Sequence, residues 1–86
     1  MNMKREEGVR MVKALSQLKP GEKGVVEKIV GRGMIHRRIV DMGIVPGASI
    51  KVEKFAPLGD PMEIKVKGFN LSLRKSEADL IQIEFA

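Results

Sequence analysis

From Ser49 to the end of the chain, apolar and polar residues alternate with a period of two. Ile50 and Val52 alternate with Lys51 and Glu53. Met62, Ile64 and Val66 alternate with Glu63, Lys65 and Lys67. Phe69, Leu71 and Leu73 alternate with Asn70, Ser72 and Arg74, and Ile81, Ile83 and Phe85 with Gln82 and Glu84. Successive side chains of a strand point to opposite faces, so each run predicts a strand with one apolar and one polar face. A further strand is predicted at residues 24–30, where β-branched residues dominate. Between Lys19 and Glu22, Pro20-Gly21 is a turn signal.

The period changes once. Ile35, Ile39 and Met42 sit at i, i+4 and i+7, which predicts one helical face over residues 34–42, with His36, Arg37 and Asp41 towards the other side. Gly43 suits the left-handed position after a helix, and Pro46 prevents its resumption. Nine residues make too short a helix to stand alone, so it must pack on something. Ser76 is expected to cap a short turn through Ala78 and Asp79. About five short antiparallel strands and one helix predict a mainly β fold, a small closed or half-closed barrel. Its inward set should be Val26, Ile29, Ile35, Ile39, Ile50, Val52, Ile64, Val66, Leu71, Leu73, Ile81 and Ile83.

With 86 residues there is room for one core only. Leu, Ile, Val and Phe supply 26 of them, enough to expect a compact domain rather than disorder. Residues 1–13 are polar, basic and interrupted by Gly8, and are expected to form a flexible tail. The domain proper is placed at 14–86, with Leu15 and Leu18 near its start.

Composition removes several kinds of chemistry. Apolar runs are two residues long, far short of a membrane helix, and no secretory leader pattern opens the chain, so a cytoplasmic location is expected. There is no Cys and one His, His36, which excludes thiolate sites and a multi-histidine cage within the chain. Asp41 lies five residues from His36, not the three or four that share a helix face. Gly31-Arg32-Gly33 precedes the helix but lacks the third glycine and the Gly-Lys-Ser/Thr of phosphate loops, and is read as a tight turn. No catalytic residue, metal site or cofactor is therefore assigned.

Charge points to a partner. Residues 1–38 carry ten Lys/Arg against four Glu, while 39–86 carry six basic and seven acidic residues. A basic half suits an acidic protein surface, an anionic membrane or nucleic acid. Nucleic acid is the weaker choice, because there is no Trp or Tyr and only three Phe on which bases would stack. Arg37-Arg38 is a basic pair on the predicted helix. Two turns, Ile44-Val45-Pro46-Gly47 and Ala56-Pro57-Leu58, carry large apolar residues where polar ones are usual. Either they fold inward and cap the barrel, or they form an exposed contact patch.

Four motifs in order give the chain a family resemblance. They are Leu15-x-x-Leu18-x-Pro20-Gly21-x-x-Gly24; Arg37-Arg38-Ile39-x-Asp41-Met42-Gly43-Ile44-x-Pro46-Gly47; Ala56-Pro57-Leu58-Gly59-Asp60-Pro61; and Leu71-Ser72-Leu73-Arg74-Lys75-x-Glu77-Ala78. Over residues 15–85 the chain resembles the FeoA family, ferrous iron transport protein A, in its free-standing form. The resemblance implies an SH3-like barrel and an accessory partner of FeoB, a membrane ferrous iron transporter with a cytosolic GTPase domain. The same fold serves as the C-terminal domain of iron-dependent repressors, which keeps a metal-responsive regulatory domain, beside a nucleic-acid-binding barrel, as the alternative readings. The partner-binding surface is expected around His36 and Arg37 on the helix, together with Pro57 and Leu58. The basic half ends in that helix, and apolar anchors ringed by charge are a common design for contact hot spots.

Overall fold

The computed structural model describes residues 11–85 of the chain. In order they form β1 (Met11–Ala14), a 3-10 turn (Leu15–Gln17), β2 (Lys23–Ile29), α1 (Gly33–Asp41), β3 (Ser49–Phe55), β4 (Met62–Val66), β5 (Phe69–Leu73), α2 (Lys75–Ala78) and β6 (Ile81–Phe85). Six strands make one antiparallel sheet in the order β1-β6-β2-β3-β4-β5. The fold is mainly β, as the alternation predicts, with one strand more than expected and a 3-10 turn at Leu15–Gln17 that the pattern did not show.

The extra strand is β1. Met11–Lys13, assigned from sequence to a flexible tail, pair with Phe85, Glu84 and Ile83 of β6. The rest of that assignment, residues 1–10, lies outside the described residues. The short turn expected at Ser76 to Asp79 is α2. Ser76 does not cap it: Arg74 occupies the N-cap position, and the Arg74 backbone N–H donates to Glu77 Oε1 at 3.0 Å. The first helix runs one residue earlier than predicted, with Met42 as its C-cap.

The sheet curls because two strands carry an extra residue. Pairing slips between Val26 and Lys28 in β2 and between Val52 and Lys54 in β3. Such bulges increase local twist and bend the strand. The slip also explains why Val26 and Ile29, three apart, both turn towards the core despite the period of two. Ile83 of β6 and Leu73 of β5, far apart in sheet order, join one buried cluster with Val26, Ile50, Val52, Ile64, Val66 and Ile81.

Of the predicted inward set, nine residues are buried, while Ile29, Ile35 and Leu71 are partly buried at its margin. Leu15, Leu18, Ile44, Ala48, Met62 and Ala78 complete the core and were absent from the inward set. Ile44 is drawn in by the end of α1. Gly43, at φ 91°, donates to the Val40 carbonyl at 2.9 Å, and Ile44 donates to the Ile39 carbonyl at 3.3 Å. This pair of bonds folds the chain back so that the residue after the glycine meets the last helical turn. Ile39 and Ile44 are both fully buried. The turn that follows is stitched to β2, with Gly47 donating to the Val26 carbonyl and Val26 to the Ala48 carbonyl.

Candidate functional site

The two apolar turns part company. Ile44 is buried and Val45 packs at the margin of the core, so that turn caps the barrel. Leu58 is 96% exposed and plugs nothing. It projects from a well-tied loop. Gly59 donates to the Ala56 carbonyl at 2.7 Å and Ala56 to the Pro61 carbonyl at 2.9 Å. Asp60 Oδ1 accepts from the Lys75 backbone N–H at 3.0 Å, fixing the loop to the start of α2. An apolar side chain on a braced loop has little backbone freedom left to lose when it binds.

Beside this loop lies an open groove of about 500 Å³, lined by Arg38, Asp60, Pro61, Ser72, Leu73 and Arg74. It brings together α1, the Leu58 loop and the β5–α2 junction. Arg38 is held there by Glu77, its Nε 2.9 Å from Glu77 Oε2. The Glu77 side chain is only 6% exposed, whereas Arg38 is 58% exposed. Glu77 therefore lashes α1 to α2 from below while one edge of the guanidinium stays wet. Ser16 Oγ donates to Asp79 Oδ1 and ties the 3-10 turn to the other end of α2.

Of the expected surface, Pro57 and Leu58 are exposed on the loop and Arg37 is exposed on α1. His36 is half-buried. It stands about 200° around the helix from Arg38, so it does not share the side that faces the groove. The structure thus joins helix and loop through Arg38, Asp60 and Pro61 rather than through His36. Arg74 and Glu77 had no role in the expected surface. Both lie in the fourth motif, and the second motif holds Arg38, but nothing local in either says that the two meet.

Among the described residues no group of three or more His, Cys, Asp or Glu side chains is placed to hold a metal ion. No helix among them is long and apolar enough to cross a membrane.

The Arg38–Glu77 pair supports a prediction. Arg38→Met keeps the aliphatic stem but leaves a nearly buried carboxylate with only the Arg74 N–H. Removing one partner of a fully buried pair costs about 3–5 kcal/mol, but water reaches the Arg38 side, so about 1–2 kcal/mol is expected. Urea unfolding of the two proteins checks it. Equal midpoints would show that the pair adds nothing to stability.

Comparison with known proteins places this geometry. The FeoA domain model matches residues 13–85. A curated relative, the Fe(2+) transport protein A/Fe(2+) transporter FeoB fusion protein of Porphyromonas gingivalis, is 40% identical over 70 residues. That match covers 81% of this chain and 8% of the fusion protein. The FeoA-like protein of Clostridium acetobutylicum, solved by NMR, is 40% identical with a TM-score of 0.79, over 87% of this chain and 86% of that one. The crystal structure of Stenotrophomonas maltophilia FeoA, a prokaryotic SH3 domain protein complexed with zinc, is 29% identical with a TM-score of 0.69. It covers 83% of this chain and 86% of that one. The curled sheet is thus the SH3-like fold, and the chain belongs to the FeoA domain family, which is associated with ferrous iron transport.

Proposed function

We propose that this protein is a non-enzymatic, cytoplasmic accessory of ferrous iron uptake that binds the cytosolic part of a FeoB-type transporter and modulates it. The observation that carries this reading is the Porphyromonas gingivalis fusion, in which a relative of this chain and a FeoB transporter share one polypeptide. Covalent linkage holds two modules at an effective concentration in the millimolar range, which is useful when their contact is functional and weak. The form of the molecule agrees with a contact role: an exposed leucine on a braced loop, a groove with two arginines beside it, and a net charge of +5.

The docking surface we assign comprises Pro57 and Leu58 of the loop with the exposed Arg37 of α1; His36, half-buried and turned from the groove, is left out of it. Leu58→Asp tests it. Because Leu58 is 96% exposed, stability should change by less than about 0.5 kcal/mol. Affinity for the purified transporter should fall at least about tenfold, equivalent to about 1.4 kcal/mol. A folded Leu58→Asp protein that binds with unchanged affinity removes the surface. If the wild-type chain shows no binding to the transporter, the reading itself fails. Arg37→Glu in the same assay should slow association mainly at low salt, where the Debye length is longest.

A further inference from the structure

We propose that the outer edge of β5 accepts an extended, acidic segment of a partner protein as an added strand. This deepens the reading of the chain as an interaction module, and rests on it, without requiring a particular partner.

Strand β5 ends the sheet, and among the described residues nothing pairs with its far side. Its backbone phase is set by the hairpin. The two-residue turn has Lys67 at φ 53° and Gly68 at φ 84°, so Val66 and Phe69 close the β4–β5 ladder. Antiparallel ladders alternate, so Phe69, Leu71 and Leu73 direct their N–H and C=O groups to β4, and Asn70 and Ser72 direct theirs outward. Both outward residues are exposed.

Sheet edges are normally guarded by charge, proline or a bulge. This one has none of them. Phe69-Asn70-Leu71-Ser72-Leu73 contains no charged residue and no proline, and pairs with β4 without a register shift. Phe69, 70% exposed, adds an apolar shelf at its start. At the other end of the sheet among the described residues, β1 carries Lys13, whose Nζ lies 5.3 Å from the centre of the Phe85 ring.

Charge selects the occupant. Lys67 precedes the strand and Arg74 and Lys75 follow it. The groove at its far end holds Ser72 and Arg74 beside one carboxylate, Asp60, which accepts the Lys75 backbone N–H, and Arg38, which is paired with Glu77; Arg74 makes no ion pair among the described residues. A second copy is disfavoured, since antiparallel pairing of two β5 edges sets Lys67 of one copy beside Arg74 and Lys75 of the other. Nucleic acid does not match, because the outward carbonyls of Asn70 and Ser72 need donors in register. A peptide backbone supplies donor and acceptor alternately, and an acidic residue at its end reaches Arg74.

The test is an amide chemical-shift titration of the full chain with an end-capped eight-residue peptide of alternating threonine and glutamate. Its lysine counterpart and a single-stranded oligothymidylate are the controls. The expected result is shifts concentrated at 69–75, with binding at least about tenfold weaker for the lysine peptide. Ser72→Pro removes an outward N–H and leaves the β4 ladder intact, and should lose at least about tenfold in affinity. Arg74→Glu leaves the backbone untouched, so it serves if the proline variant fails to fold, and should reverse the preference towards the lysine peptide. The proposal is overturned by an absence of shifts at 69–75 at millimolar peptide, by unchanged preference in Arg74→Glu, or by a folded Ser72→Pro that binds as wild type. Shifts there with oligothymidylate alone, or on raising protein concentration without peptide, overturn it in favour of nucleic acid or a second copy. No transporter is present in this titration, so its failure is distinct from failure of the transporter reading.

Discussion

Gly24→Ala should destabilise the protein by about 3 kcal/mol, the upper end of what overpacking one methyl group costs. The reason is space. The backbone of Gly24 is not left-handed, so alanine meets no conformational penalty there. A Cβ at this position would lie 2.5 Å from Ile83 Cγ2, 2.7 Å from the Glu84 carbonyl oxygen and 3.3 Å from Phe85 Cβ. The carbonyl belongs to β6, which is flanked by β1 and β2, and Ile83 is fully buried. Neither can yield without parting β6 from β2. Alanine also narrows the unfolded ensemble, an opposing gain of about 0.4–1 kcal/mol that the clash exceeds. Equilibrium urea unfolding checks the result. A loss below about 0.5 kcal/mol would mean that β2 and β6 are spaced more widely at this point. Serine should behave like alanine or worse, since it adds a further atom to the same closed space.

How much of this was legible in the sequence depends on how far each cause lies along the chain. The register of β3, β4 and β6 was readable because burial on one face imposes alternation within a few residues. The end of α1 was readable at Gly43, since a left-handed residue there favours glycine. What the motif also does, turning Ile44 back onto Ile39, belongs to its geometry and not to any local pattern. Strand β1 was hidden because Met11-Val12-Lys13-Ala14 has no clean alternation and its partner β6 lies at the other end of the chain. Phe69, which the inward set left out, shows that alternation alone does not bury a residue. It continues the alternation of Leu71 and Leu73, yet it stands at the hairpin mouth where no layer covers it, and is 70% exposed. Glu77 shares its local pattern with surface residues. Its burial follows from Arg38 and the Arg74 N–H meeting it, a juxtaposition made by the fold. For the candidate site, the sequence pointed to the leucine loop and the basic helix. It did not show that Arg38 is the helical residue beside the groove, or that Arg74 completes it.

The contrast between Ile64 and Leu71, cross-strand partners in the β4–β5 ladder, is the sharpest test of that register. From alternation alone the two are equivalent, each flanked by polar residues and each assigned to the inward face. The structure separates them. Ile64 is fully buried in a central strand and belongs to the core cluster, while Leu71 sits in the terminal strand and packs only at its margin. Ile64→Ala should cost about 2–5 kcal/mol, combining lost transfer energy with a cavity that β3 and β5 prevent from collapsing. Leu71→Ala should cost less than about 2 kcal/mol, because water already reaches part of the side chain and can fill the space it leaves. Both are measured by the same unfolding assay, with the m-value checked to confirm that the unfolded reference is unchanged. Equal losses would mean that β5 is covered in solution by something beyond the described residues, as an occupied edge would require. Losses below about 0.5 kcal/mol at both would mean that β4 pairs in the other phase, with its charged face inward.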